Sequence, residues 1–334
     1  MKNTAFILLS IALVILSWGS YGPMLKIGGD EMGGSHWLPF IFVGVAYFLI
    51  AVVAASVYLV WIGEPGHWSF RGVIWSFLAG VVTAVGALGV ILALTHKGST
   101  IYVMPLIFGG APVVNTIVTM IMSKTHREAS SLFYAGMILV IAGAATVLVF
   151  NPAGRGVTEI TMTEFIQVLL FVALTAVCWG SYGPLLHKGQ MLMQNSRMRP
   201  FICVGVAYCV VAVLMPVLLR SALGDHGYLS IEGSLWSLMG GIAGALGSLG
   251  VILAFTFGGK PLYVMPLVFG GAPVINTFIS IANAKQPLTI SPLFYAGLIV
   301  VVTGAASVLV FAPRGNPPAA AKKVPEKPPE PVKA

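Results

Sequence analysis

Two copies of one apolar segment carry the polar residues of this chain that are best suited to binding a ligand. The segment Tyr102–Thr116 reads Tyr-Val-Met-Pro-Leu-Ile-Phe-Gly-Gly-Ala-Pro-Val-Val-Asn-Thr and recurs at Tyr263–Thr277 with 13 of 15 residues identical. An amide at lipid depth seldom faces lipid, because it needs another helix, free backbone or a ligand as hydrogen-bond partner. The residues predicted to contact substrate here are Tyr102, Asn115, Thr116, Tyr263, Asn276 and Thr277. The alternative role for the two asparagines is to brace the backbone.

The same segments contain residues that oppose a regular helix. Proline lacks the backbone N–H and clashes with the preceding turn, and glycine adds conformational freedom. We therefore expect both segments to be interrupted helices that expose backbone groups or act as hinges. The predicted hinge residues are Pro105, Gly109, Gly110, Pro112, Pro266, Gly270, Gly271 and Pro273.

Aromatic residues form a second repeated pattern. The segment Trp18–Pro23 reads Trp-Gly-Ser-Tyr-Gly-Pro and recurs at Trp179–Pro184. Its tryptophan and tyrosine are three residues apart and share one helical face, where they could stack on a sugar-like ring. An interfacial aromatic belt is the alternative. The predicted substrate-binding residues of this group, which includes two mid-span tyrosines, are Trp18, Ser20, Tyr21, Tyr47, Trp179, Ser181, Tyr182 and Tyr208.

The composition indicates that membrane helices must position these residues. Of 334 residues, 57% are hydrophobic and 8% charged, and the mean hydropathy is +0.94. A soluble domain carries about 25% charged residues. The net charge of +8 therefore indicates basic membrane loops and no nucleic-acid partner. The three cysteines lie in apolar runs and predict neither a disulfide framework nor a metal site.

Ten apolar runs approach the roughly 20 residues that a spanning helix needs. They cover 4–25, 38–60, 71–94, 100–122 and 131–150, then 165–186, 200–220, 232–255, 261–283 and 292–311. The first could pass for a signal peptide, but its equivalent at 165–186 is internal, so we interpret it as a retained span.

A constant offset of 161 residues relates the first five runs to the second five, as in Trp18 and Trp179 or Asn115 and Asn276. Five spans per copy is an odd number, so the second copy enters the membrane from the opposite side. The sequence therefore predicts an all-α membrane protein with ten transmembrane helices in two inverted five-helix repeats. The predicted units are 4–152, 165–313 and a disordered cytoplasmic tail, 314–334.

The positive charge is distributed unevenly over the two predicted faces. Side A, where the chain begins, receives 13 lysines and arginines, whereas side B receives 5. The positive-inside rule places side A, with both termini, in the cytoplasm. We expect a multi-pass protein of a bacterial inner membrane, surrounded by the lipid bilayer and present as a monomer or homodimer.

Catalytic patterns are missing from the sequence. It has no zinc-protease, nucleophile-elbow or Walker motif, and no charged residue lies well inside a predicted span. We therefore predict that the chain is not an enzyme and needs no cofactor or metal. A membrane-embedded enzyme or a lipid-handling protein is the alternative of another class, and a receptor-like membrane protein is a third.

The ten spans, the inverted duplication and the Gly/Pro-rich fourth and ninth spans together resemble the drug/metabolite transporter superfamily, which is built from two EamA-like repeats. The Trp-Gly-Ser of Trp18–Ser20 and Trp179–Ser181 looks like the Trp-Gly opening of many members and is reminiscent of the sugar-uptake branch. The resemblance implies a substrate cavity between the halves, lined by spans 1, 3, 4, 6, 8 and 9. The small multidrug exporters carry a glutamate in their first span that this chain lacks, which argues against export of cationic drugs.

These observations predict a secondary transporter that moves a small neutral or zwitterionic polar metabolite, with a sugar-like substrate favoured, by alternating access. A metabolite or drug exporter of the same superfamily is the alternative within this class.

Overall fold

The structure is a computed structural model that describes residues 2–124, 130–150, 161–219, 227–257, 261–283 and 290–311. All regular elements in these ranges are helices. The predicted tail 314–334 and the side chains of Tyr263 and Pro266 lie outside what is described.

The helices of the first copy follow its five predicted spans. They are α1 (Lys2–Glu31), α2 (Trp37–Tyr47), a π-helical segment (Phe48–Ala54), α3 (Ala55–Trp61), α4 (Phe70–Thr95), α5 (Thr100–Ser123) and α6 (Ser131–Val149). Serines begin several of these helices as N-caps. Ser69 accepts a hydrogen bond from Gly72 N, and Ser130 accepts one from Phe133 N.

The second copy repeats this order, including the π-helical segment. It comprises α7 (Met162–Leu192), α8 (Met198–Tyr208), a π-helical segment (Cys209–Leu214), α9 (Met215–Leu219), α10 (Ile231–Thr256), α11 (Pro261–Ala282) and α12 (Pro292–Val310). A capping box between Thr161 and Glu164 starts α7. The helical ranges therefore follow the 161-residue offset predicted from the sequence.

Seven helical stretches are long and apolar enough to cross a membrane. They are Thr4–Glu31, Trp37–Trp61, Phe70–Thr95, Thr100–Met122, Met162–Leu192, Met198–Leu218 and Ile231–Val251. Three shorter apolar helices cover Ser131–Val147, Leu267–Ala282 and Pro292–Val308. These lengths are consistent with a multi-pass integral membrane protein, and the predicted number of ten crossings stays a prediction.

The prolines do not interrupt the helices, so the prediction of broken helices is wrong. The helix α5 runs unbroken through Pro105 and Pro112, and α11 runs unbroken through Pro273. Membrane helices tolerate proline where neighbouring helices and hydroxyl side chains compensate the disturbed backbone. Thr116 donates its hydroxyl to Pro112 O of the same helix at 2.9 Å. A hinge role for these prolines and glycines stays a prediction.

The two copies interlock through antiparallel helix pairs. Gly28 of α1 faces Ser237 of α10, whereas Trp18 faces Gly247, so residue numbers rise along α1 as they fall along α10. The pair α4 and α7 repeats this arrangement at the 161-residue offset, with Gly189 facing Ser76. Each helix of these pairs therefore packs on a helix of the other copy.

Helices α6 and α12 are equivalent in the two copies and also pack antiparallel on each other. Gly136 lies against Val308, and Gly143 lies against Val301. A Cβ atom at Gly143 would be 2.6 Å from Val301 N, and one at Gly304 would be 2.6 Å from Val140 N. These glycines let the two backbones approach closely, as small residues do in membrane helix pairs.

We expect Gly143→Ala to lower the free energy of unfolding by about 1–3 kcal/mol, the usual cost of overpacking a close contact. The added methyl meets backbone atoms, which cannot move aside as a flexible side chain can. Thermal unfolding in detergent measures the change. Gly29→Ala is the matched control, because a Cβ there has its nearest neighbour at 3.8 Å. Equal thermal midpoints for the two variants would contradict the close α6–α12 contact.

Candidate functional site

A stacked pair of tyrosines lies where the two copies meet. The rings of Tyr47 and Tyr208 have centroids 3.9 Å apart and planes within 1° of parallel. The two residues are equivalent at the 161-residue offset, and equivalent residues can touch only near the axis that relates the copies. Phe108 and Phe269 are a second such pair, with ring centroids 6.4 Å apart. These pairs define a local two-fold axis through the structure.

The tyrosines of this pair also mark a change in helix geometry. Tyr47 is the last residue of α2 and Tyr208 the last of α8, and a π-helical segment follows each of them directly. Such wide turns are rare and often occur at functional sites. Each π-helical segment packs on a glycine of the other copy, as Ala212 does on Gly44. The π-helical segments are not predictable from the sequence, since an apolar run carries no signal that separates a π turn from an α turn.

Two tryptophans flank the tyrosine pair in equivalent positions. Trp18 Nε1 donates to Gly244 O at 3.2 Å, and Trp179 Nε1 donates to Thr83 O at 3.2 Å. Both indoles are half-buried. The indole of Trp18 packs directly on Gly247, where any side chain would collide with it. Each tryptophan thus joins the first helix of one copy to α4 or α10 of the other copy.

Two more tyrosines complete this group. Tyr21 is 5% exposed, and its ring centroid lies 5.9 Å from that of Trp179. Tyr182, its equivalent, is partly buried against the same core. We call these six residues the aromatic cluster. It consists of Trp18, Tyr21, Tyr47, Trp179, Tyr182 and Tyr208.

Hydroxyl groups beside the aromatic cluster break its symmetry. The Tyr47 hydroxyl interacts with Ser248, which in turn donates to Gly244 O at 3.2 Å. Ala87 is equivalent to Ser248, so Tyr208 lacks this hydroxyl partner. Gly244 is itself equivalent to Thr83. The cluster therefore presents a different set of hydrogen-bonding groups on each side of the axis, which a chiral ligand could distinguish.

The two asparagines occupy different environments despite their nearly identical local sequence. Asn276 is fully buried, and its Nδ2 donates to Thr100 O at 2.8 Å. Asn115 is only half-buried, and its side chain makes no hydrogen bond to any residue that the structure describes. Both amides approach a glycine of the first helix of the other copy, Gly22 for Asn276 and Gly183 for Asn115. The structure thus places both amides next to the helices that carry the tryptophans.

The structure also describes three other predicted site residues, Ser20, Tyr102 and Ser181. The hydroxyls of Ser20 and Ser181 donate to carbonyls of their own helices, Ser17 O and Val177 O, at 3.0 and 2.7 Å. Tyr102 is buried in the same core. The contact of these three residues with a substrate stays a prediction.

Neighbouring helices pack on the predicted hinge glycines. Gly110 contacts Ala176 of α7, and Gly271 contacts Ile15 of α1 at the equivalent position.

Thr277 is buried, and no described residue pairs with its hydroxyl. It lines an apolar cavity of about 260 Å³ between α5, α11 and α12, together with Phe108 and Phe269.

These features are consistent with a multi-pass α-helical membrane protein that has an uncharged aromatic cluster between its two copies. No model of a known protein family matches the chain, and no curated protein matches it.

Proposed function

We propose that the chain is a secondary transporter with ten spans in two inverted five-helix repeats. It moves a small neutral or zwitterionic polar metabolite, with a sugar-like substrate favoured, by alternating access. The aromatic cluster is the observation that carries this proposal, because both copies contribute to it equally around one axis. In transporters built from inverted repeats, the substrate binds near the membrane midplane at the interface of the repeats.

The chemistry of the aromatic cluster supports an uncharged polar ligand. Indole and phenol rings offer flat apolar faces, while their N–H and O–H groups can bond to hydroxyls. The six members include no charged side chain. An ion bound there would lose its hydration without gaining a counter-charge, which is costly. A ring with one apolar face and several hydroxyls matches such a site.

The resemblance to the drug/metabolite transporter superfamily supports the same proposal through architecture. That resemblance implies substrate contacts from the first, third and fourth spans of each copy. The aromatic cluster lies on helices of the first and second spans, and its tryptophans donate to carbonyls of the third. We also propose that side A faces the cytoplasm of a bacterial cell, because most of the positive charge lies there.

Flux measurements test this function directly. The purified protein is reconstituted into liposomes, and uptake and efflux of labelled hexoses, amino acids and nucleosides are compared. We expect an uncharged polar solute, most strongly a hexose, to equilibrate faster than in protein-free liposomes. Asn115→Ala combined with Asn276→Ala should reduce this flux in a folded protein. Full activity of the double variant would remove the asparagines from the site, and absence of flux for the whole panel would contradict the transporter.

A further inference from the structure

Many close contacts between the two copies recur as equivalent pairs, but several polar contacts do not, and one of these lies between α5 and α11. At the side-B end of the α5–α11 contact, Thr100 Oγ1 and Ser280 Oγ are 2.7 Å apart. Asn276 Nδ2 bonds to Thr100 O in the same place. Thr100 and Ser280 are each 8% exposed, so all three polar groups are buried together.

The equivalent place on side A is arranged differently. Thr119, the counterpart of Ser280, is exposed and donates only to Asn115 O of its own helix, at 2.7 Å. Asn115, the counterpart of Asn276, has no side-chain partner in the described part of the chain. Pro261 stands where the first copy has Thr100, so a hydroxyl pair cannot form on this side.

We interpret this difference as two states of the same interface, closed at its side-B end and open at its side-A end. The sequences of α5 and α11 are nearly identical around the asparagines, so local sequence does not explain why one amide is buried and bonded while the other is not. A two-state arrangement explains the difference. If one rigid movement of the two copies closes the contact at one end, it opens the equivalent contact at the other end, so both ends cannot be closed at once.

We propose that Thr100, Ser280 and Asn276 form a hydrogen-bonded gate that closes side B, and that the structure is the state open toward side A at Asn115. This inference rests on the proposed transport function and adds the residues that control access. It gives Asn276 a gating role in addition to its predicted contact with substrate. It also predicts unequal closed states, because the closure on side A lacks the hydroxyl pair.

Cysteine labelling without any substrate tests the gate. Cys178, Cys203 and Cys209 are first replaced by alanine. Asn115→Cys and Asn276→Cys, a matched pair at the 161-residue offset, are then exposed to a membrane-impermeant maleimide added from one side at a time. We expect Asn115→Cys to react from side A, and Asn276→Cys to react from side B roughly fivefold more slowly, the protection expected of the Thr100–Ser280 hydrogen bond that this variant retains. Adding Ser280→Ala should raise the Asn276→Cys rate.

Equal labelling rates at the two positions, or no labelling of Asn115→Cys from side A, would overturn the gate. A second variant, Thr100→Cys with Ser280→Cys, tests the gate independently, in case the labelling variants fail to fold. The two hydroxyl oxygens lie close enough for a disulfide to replace them with small adjustments. Oxidation should stop hexose flux and reductant should restore it. A disulfide that forms without slowing flux overturns the gate but leaves the transport function intact. The expected labelling pattern in a protein that transports none of the solutes contradicts the transport function but leaves the gate intact.

Discussion

Replacing Tyr47 and Tyr208 together by phenylalanine is expected to raise the apparent KM for the transported solute roughly thirtyfold, since two hydrogen bonds of about 1 kcal/mol each are lost. The stacked rings remain, because phenylalanine keeps the ring that packs at 3.9 Å. Ser248 is not left without a partner, since it also donates to Gly244 O. The expected loss therefore concerns ligand binding and not the fold.

Concentration-dependent uptake into proteoliposomes measures this effect. Tyr134→Phe with Tyr295→Phe is the matched control, because these tyrosines are also equivalent at the 161-residue offset but are 53% and 42% exposed. We expect the control to transport like the unmodified protein. Equal kinetics for the two double variants would remove the central tyrosines from the binding site.

The largest loss of stability is expected from Glu64→Ala. The carboxylate of Glu64 accepts hydrogen bonds from Ser196 Oγ and from the backbone N–H groups of Arg197 and Met198, at the start of α8. Arg199 Nη1 lies 3.7 Å from the same carboxylate, and both side chains are nearly buried. Removing one partner of a buried ion pair costs about 3–5 kcal/mol, because the other charge stays buried without compensation.

Thermal unfolding in detergent measures this loss. Glu31→Ala is the control, because Glu31 is exposed near the end of α1. Adding Arg199→Leu to Glu64→Ala should recover part of the stability, because it removes the charge left without a partner. A Glu64→Ala variant that unfolds at the same temperature as Glu31→Ala would show that this contact between the copies contributes little.

The internal repeat made part of this architecture predictable. The 161-residue offset, read from residues such as Trp18 and Trp179, reappears as equivalent hydrogen bonds in the structure. The tryptophans and mid-span tyrosines that the sequence indicates as site residues lie around one axis in the structure. Repetition carries this information because each copy folds alike and must pack against its twin.

Other features depend on contacts that the sequence does not reveal. Pro105 and Pro112 predicted a break, but the helix continues through both, as membrane helices can where neighbouring helices compensate the disturbed backbone. Thr100 follows Ser99, the N-cap of α5, and nothing in the sequence indicates that its hydroxyl pairs with that of Ser280. Long-range pairings of this kind depend on how the copies are docked, which residue spacing along one helix does not encode.

The identical Asn-Thr pairs show the same limit most clearly. Asn115 and Asn276 have nearly the same neighbours in sequence, yet one is half-buried and the other fully buried. Local sequence assigned both the same role, whereas the state of the interface distinguishes them.

We propose that both copies build one ligand site on their common axis, and the number of ligand molecules bound per chain is the sharpest test of this proposal. Equilibrium dialysis of the purified protein against the labelled hexose that it transports best counts the molecules bound to each chain. The aromatic cluster predicts one bound hexose per chain, with weaker binding in the Tyr47→Phe, Tyr208→Phe variant. Two bound molecules per chain, or undiminished affinity in that variant, would contradict a single shared site.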